Sequence, residues 1–269
     1  MDNTVSLGPL VIATDRLLAL VAVMVFVGLI SAFAPRSVAP TSNAVTVTVV
    51  SGAVAGRIGY VAGHIASFRG DPASILAFWQ GGFSAVTGIF AAAIALALML
   101  GRSAVLYRSL GAVGIAVVFW SIATQTLRNR PVTLFPKGLV AYTIDGDAVP
   151  IDGFRSKPFV VNLWATWCGP CQREMPMLIR AAAARPLVPI LFVDQGEAPE
   201  AVTAFLNTNR LSSPRVLVDR SQDFGRAAGS RALPTTLFIA CDGTVRHTHA
   251  GEISRAALDD GIDDILERH

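Results

Sequence analysis

The sequence predicts an α-helical transmembrane module of about four helices, residues 1–130, followed by an α/β domain with a mixed central sheet, residues 131–269. Three observations carry this. Apolar residues make up 52% of the chain and the mean hydropathy is +0.53, too apolar for an ordinary soluble protein. The excess lies in the first half, in stretches near the ~20 residues that a helix needs to cross a bilayer. Beyond about residue 130, short β-rich runs alternate with amphipathic helical ones.

The apolar stretches run over Leu7–Phe33, Val45–Ile65, Gly82–Leu100 and Ala104–Leu127. Ala32-Phe33-Ala34 mimics a signal-peptide cleavage site. Pro35 would follow that cut directly, however, and the opening residues carry Asp2 rather than a basic region, so an uncleaved span is expected. Arg128-Asn129-Arg130-Pro131 closes the membrane half. Basic residues do not orient it: Arg36, Arg102 and Arg108 would lie inside in one topology, Arg69, Arg128 and Arg130 in the other. A net charge of +3 without any Lys/Arg-rich run gives no ground for nucleic-acid binding.

In the second half, Leu139–Ile144 and Phe159–Trp164 are predicted strands with an Asp145-Gly146-Asp147 turn between them. A helix is expected to begin at Cys171 and to kink at Pro176. Strand 189–194, helix 198–207, strand 215–219 and short helix 223–228 follow. A hairpin, 235–240 and 244–250, turns at Asp242-Gly243, and an amphipathic helix over 254–268 ends the domain.

Cys168-Gly169-Pro170-Cys171 lies at the strand-to-helix junction. The first sulfur of such a motif sits at a helix N-terminus, where unpaired N–H groups and the macrodipole favour a thiolate. The second lies one turn on, close enough to close a disulfide. That is a two-electron redox switch. A zinc knuckle would need two further ligands, and Cys241 alone does not supply them. His247 and His249 share one strand face and are expected to be surface residues. Asp259, Asp260, Asp263 and Asp264 recur at helical spacing as a solvated face. Neither cofactor nor metal is called for.

Asn162-Leu163-Trp164-Ala165-Thr166-Trp167-Cys168-Gly169-Pro170-Cys171, Arg173-Glu174-Met175-Pro176 and Leu233-Pro234-Thr235-Thr236 together resemble the thioredoxin superfamily, most closely its TlpA/ResA-like membrane-tethered reductases. The resemblance covers about 137–267. It implies a thioredoxin-like fold, with Cys168 as attacking thiolate and Cys171 as resolving thiol. It also implies a cis Pro234 whose neighbouring backbone grips an extended substrate, and substrate contact by Trp167, Gly169, Pro170, Leu233 and Thr235. Asn162 stands where many thioredoxins carry a buried aspartate. Glu174, three residues after the second cysteine, matches the glutamate that fills that role in this branch, as a proton shuttle when neutral. Trp164 is explained as well by core packing as by shielding of the site. Cys241 is expected to be an incidental thiol.

The first half resembles the N-terminal part of prolipoprotein diacylglyceryl transferases, through Ser6-Leu7-Gly8-Pro9-Leu10, Gly56-Arg57-Ile58-Gly59-Tyr60-Val61, Asp71-Pro72 and Trp79-Gln80-Gly81-Gly82-Phe83-Ser84. The family's histidine after this last segment is absent from Ala85-Val86-Thr87, and its second half is replaced by the redox domain. A degenerate, truncated module without transferase activity is expected. His64 and Arg57, in or near the second stretch, suggest an interior-facing or lipid-headgroup contact.

Together these resemblances imply an inner-membrane thiol–disulfide oxidoreductase with a periplasmic catalytic domain, acting on protein disulfides. A membrane electron donor of the DsbD/CcdA kind would re-reduce it, and the lipid bilayer would be the module's partner. Gly-Pro between the cysteines is the pair of strongly reducing thioredoxins, at about −270 mV. The alternatives are a cytochrome c maturation reductase, a disulfide-donating oxidase, or a lipid- or lipoprotein-binding module that delivers the redox domain to its client.

Overall fold

A computed structural model of the chain describes residues 4–7, 10–33, 41–101, 103–128, 133–230 and 232–267. Gly8-Pro9, the Ala34-Pro35 boundary, Arg36, Arg102 and Asn129–Pro131 lie outside them. The chain divides into two units, Thr14–Arg130 and Met1–Ala13 with Pro131–His269.

The N-terminal residues form an antiparallel pair, β1 (Thr4–Leu7) and β2 (Leu10–Ala13). The first apolar stretch therefore does not begin as a helix at Leu7, because the β-branched Val11-Ile12 run is in a strand. Helix α1 spans Thr14–Phe33, and α2 spans Thr41–Gly63. A short α3 (Ile65–Phe68) leads into two 3₁₀ turns over Pro72–Leu76 and Phe78–Gln80. Helices α4 (Ala85–Leu100) and α5 (Ala104–Arg128) complete the unit. Segments Asn43–Gly63 and Ala104–Thr126 are long and apolar enough to cross a membrane. Helix α4 starts at Ala85 rather than Gly82, because the Ser84 side chain caps it by accepting from Thr87 N. Its 16 residues span about 24 Å at 1.5 Å each, short of the ~30 Å hydrocarbon core.

Helices α2 and α4 meet along a seam of small residues. A Cβ on Gly88 would stand 2.9 Å from the Gly52 carbonyl oxygen, and one on Gly59 would overlap the Thr87 side chain. Close backbone approach of this kind is how apolar helices associate where no hydrophobic force separates helix from lipid.

The second unit holds an eight-stranded mixed sheet. Its strands are β3 (Thr133–Leu134), β4 (Val140–Tyr142), β5 (Ala148–Pro150), β6 (Phe159–Trp164), β7 (Ile190–Gln195), β8 (Val216–Asp219), β9 (Thr235–Ile239) and β10 (Thr244–Ala250), in the spatial order β3-β10-β9-β6-β7-β8-β4-β5. Strands β6, β7 and β8 are parallel, and β9 is antiparallel to β6. Helices α6 (Gly169–Ala184), α7 (Pro199–Thr208), α8 (Asp223–Ala227) and α9 (Arg255–Glu267) connect or cover them. The order is that of a thioredoxin-like α/β fold.

Strand β6 is buried at every position. Val160 and Trp164 join the core under α6, α7 and α9, with Met175, Leu178, Val202, Leu258 and Ile262. Phe159, Val161 and Leu163 point the other way, to Phe135, Ile151 and Phe224. Burial on both faces is why this strand reads as a continuous apolar run rather than an alternating one.

Three expectations are corrected here. The Asp145-Gly146-Asp147 turn closes a hairpin between β4 and β5, and Thr143 N donates to Asp147 O at 2.8 Å. Helix α6 starts at Gly169, two residues before Cys171, and runs on through Pro176. The acidic face of α9 is not simply solvated: Arg185 pairs with Asp259 at 3.2 Å and with Asp263 at 2.8 Å, tying the end of α6 to α9.

Gly88→Leu tests the seam. A leucine there forces α2 and α4 apart, because the neighbouring atoms are backbone and cannot move aside. The full chain in detergent is expected to lose several degrees of melting temperature, at the cost of about 1–3 kcal/mol typical of overpacking; Gly63→Leu, where a Cβ meets nothing within 4 Å, is the control.

Candidate active site

Strand β6 delivers the chain to the end of the sheet, where Ala165–Trp167 turn and Cys168 caps α6. The Cys168 Sγ accepts from Cys171 N at 3.3 Å, so the sulfur occupies the position that a serine or aspartate oxygen takes at other helix starts. Cys168 and Cys171 form a disulfide, with S–S 2.12 Å and Cα–Cα 5.2 Å. Cys171 is fully buried and Cys168 nearly so. Trp167, by contrast, is 69% exposed, a large apolar surface beside the pair.

One turn into α6, Glu174 points inward and is 3% exposed. Asn162 of β6 donates from Nδ2 to Glu174 Oε1 at 2.9 Å and to Thr236 Oγ1 at 3.1 Å. Ile253 N donates to Glu174 Oε2 at 2.8 Å. Burial pushes the Glu174 carboxyl up to about 8; the Ile253 and Asn162 hydrogen bonds oppose this, the Glu252 charge adds to it and the Arg173 guanidinium opposes it. Glu252 is itself buried and held by Arg173 at 2.6 Å. A carboxyl that is largely neutral at pH 7, in the helix that carries the redox pair, is equipped to give or take a proton.

Strand β9 enters beside β6, with Thr235 opposite Leu163. Pro234 therefore precedes the sheet at the level where β6 runs out toward Cys168, and the Leu233–Pro234 bond is cis. Thr235 is wholly buried, its hydroxyl donating to Ala232 O at 2.7 Å. The Leu233 backbone makes no hydrogen bond among the described residues, which leaves it available to an added strand. Gly169 and Pro170 form the first turn of α6. The structure thus gathers Trp167, Cys168, Gly169, Pro170, Cys171, Leu233 and Pro234 at one end of the sheet, with Glu174 beneath the pair and Thr235 turned into the core.

Cys241 lies in the β9–β10 turn and takes no part in a disulfide. The rings of His247 and His249 are 6.5 Å apart, and His249 approaches Glu252 O at 3.3 Å. In the other unit Arg57 is interior-facing: its Nε donates to Ile75 O at 2.9 Å, Nη2 to Ser74 O at 2.7 Å and Nη1 to Gly82 O at 3.0 Å and to Gly81 O. The buried guanidinium is spent on backbone carbonyls of the first 3₁₀ turn and the Gly-Gly segment.

Residues not singled out from the sequence also belong here. Glu197, just beyond β7, accepts from Thr166 N and, at 2.6 Å, from Thr166 Oγ1. Asp194 Oδ1 accepts from Glu197 N at 2.9 Å. Their signal was an aspartate ending an apolar strand, Leu191-Phe192-Val193-Asp194, a position where a buried charge calls for a partner. The link to Thr166 runs between strands and had no local trace.

A disulfide at a helix N-terminus beside an exposed tryptophan, with a buried carboxyl on the same helix, is the equipment of dithiol–disulfide exchange. The enzyme is a thiol–disulfide oxidoreductase on a thioredoxin-like domain. Residues 132–265 match the Redoxin family and residues 3–129 the prolipoprotein diacylglyceryl transferase family. Thiol-disulfide oxidoreductase ResA of Bacillus thuringiensis (strain Al Hakam) is 30% identical over 122 residues, 45% of this chain and 70% of that protein. ResA of Geobacillus kaustophilus is 27% identical over 166 residues, covering 61% of this chain and 94% of its own. Among solved structures, MTB dsbF in mixed oxidized and reduced forms is 26% identical with a TM-score of 0.45, covering 47% of this chain and 94% of that one. Through its C-terminal half the chain belongs to the ResA/TlpA-like thiol–disulfide oxidoreductases, here joined to a transferase-family N-terminal half.

Because the Glu174 carboxyl is raised from an unfolded value of about 4.3 to about 8, the native state holds an extra proton between those limits. Stability contributed by this group is fully present below the unfolded pKa and falls as pH rises toward 8. Glu174→Gln is expected to flatten the decline between pH 5 and 7 by up to about 1.4 kcal/mol per pH unit, measured by denaturant titration. An unchanged slope would mean that Glu174 is ionised in the fold.

Proposed function

We propose that the protein is a membrane-anchored reductase of protein disulfides, with its redox domain on the periplasmic face. The observation that carries this is the Cys168–Cys171 disulfide at the N-terminus of α6, with the buried Glu174 one turn beyond. In the reduced enzyme the Cys168 thiolate attacks a substrate disulfide, forming a mixed disulfide and expelling one substrate thiolate. Cys171 then attacks Cys168 Sγ, releasing the second substrate thiol and leaving the enzyme disulfide seen here. Two electrons pass to the substrate, and Glu174 in its ionised form takes the Cys171 proton as that thiol becomes nucleophilic. The substrate chain lies along the Leu233–Pro234 backbone and packs on Trp167, with Gly169, Pro170 and the start of β9 at Thr235 framing the site. A membrane electron donor of the DsbD/CcdA type returns the electrons.

The transferase-like module, residues 1–130, serves as a four-span anchor, and residues 131–269 form the redox domain. Placement of that domain outside is supported by the external N-terminus that the transferase family implies, and by the use of a reductase where disulfides form. The carbonyl-bound Arg57 favours an anchor over a headgroup-binding role. Reduction of haem-attachment cysteines in cytochrome c maturation is the nearest alternative. Its discriminator is binding of oxidised Cys-x-x-Cys-His peptides.

The direct test uses the full chain in detergent with Cys241→Ser as background. Cys171→Ser is expected to accumulate a mixed disulfide with a substrate protein through Cys168, and Cys168→Ser to form none. Its equilibrium potential against glutathione is expected near that of thioredoxin, about −270 mV; a value near −120 mV would make the protein a disulfide donor instead. A single cysteine at the exposed Tyr142, in a variant lacking the other three, should react with an impermeant maleimide in intact spheroplasts. Labelling only after lysis would place the domain inside.

A further inference from the structure

Thr166 is gripped from two directions. Glu197 takes both its N–H and its hydroxyl, and Gln172, in the first turn of α6, donates from Nε2 to its carbonyl. Cys168 N closes the same turn by donating to Ala165 O at 3.2 Å. The next residue is Trp167, 69% exposed, and then comes Cys168. Whatever fixes Thr166 therefore fixes the apolar platform and the sulfur beside it.

The Glu197 backbone is held in turn by Asp194. Asp194 is fully buried at the end of β7; one oxygen accepts from Glu197 N, and Oδ2 has no hydrogen-bond partner. Burial first, and then the adjoining Glu197 carboxylate, push the Asp194 carboxyl up to about 8. The other acid facing it, Asp219 on β8, adds to the rise. Asp219 is itself satisfied by Phe224 N at 2.8 Å, Gln195 Nε2 at 3.3 Å and Ser221 Oγ at 3.2 Å. Both carboxylate oxygens of Glu197 are thus spent on Thr166, and its amide on Asp194.

We propose that Glu197 is the positioning residue that fixes the Thr166–Trp167 segment as the substrate platform beside Cys168. This rests on the reading of Cys168 as the attacking sulfur. The clamp lies on the β7 side of the cysteine loop and Glu174 on α6, so one carboxyl system governs docking and the other proton transfer.

The test reads the clamp without using activity. Amide exchange of residues 165–168 is followed in the oxidised full chain in detergent, corrected for intrinsic rates. Glu197→Ala is expected to speed exchange at Thr166 by about tenfold or more, with Glu197→Gln intermediate, while β6 and β9 keep their protection. With reduced enzyme and insulin as the protein disulfide, Glu197→Ala should raise KM by about tenfold while kcat changes less than about twofold. Unchanged Thr166 exchange in Glu197→Ala, or an unchanged KM, overturns the positioning role. Loss of protection throughout the sheet in both Glu197 variants overturns it in favour of a purely structural one. If Cys168→Ser still reduces insulin, the reading of the cysteines fails, whereas the exchange result stands independently of it.

Discussion

A carboxyl carried into a protein core costs several kcal/mol unless its oxygens find donors or it keeps its proton, and Glu174 uses both remedies. Asn162 reaches it from the central strand, and the Ile253 amide from the loop after β10. Those two donors tie α6 to β6 and to the approach to α9. Arg173 and Glu252 form a second tie over the same ground. The geometry of the redox helix is thus fixed by polar bonds with direction, on a core that supplies only cohesion.

Some of this was legible in the residues. Phe159–Trp164 had to be a doubly buried strand because nothing polar but Asn162 interrupts it, and the cysteine motif then had to fall at the sheet's edge. Glu174 and Pro234 were found only through the motifs in which they sit. Strand β5 was missed because its run is short and ends in Pro150, which local pattern assigns to a turn. The helix start was placed two residues late: Gly169 and Pro170 look like a turn, yet a proline in the first helical turn forfeits no hydrogen bond and Cys168 provides the cap. The Asp194–Glu197–Thr166 connection was illegible for a different reason. It joins residues 31 apart across a parallel crossover, where spacing carries no periodic signal.

In the membrane half, the residues that carry the transferase resemblance are engaged with one another. Arg57 binds the carbonyls of Ser74, Ile75, Gly81 and Gly82, and its guanidinium lies 5.5 Å from the Phe68 ring centroid. Gly56 and Gly59 belong to the seam with α4. The residues that match the transferase family are thereby held by bonds within their own unit.

The sulfur of Cys168 does two jobs, since the atom that exchanges electrons also accepts the Cys171 amide at the start of α6. Serine, whose oxygen is among the best helix caps, would preserve the second job while abolishing the first. An alkylating reagent would abolish both, adding bulk to the acceptor of the Cys171 amide. Chemical inactivation of this enzyme and its genetic inactivation should therefore leave different molecules behind: one with a frayed helix start that degradation machinery can seize, the other intact and persistent.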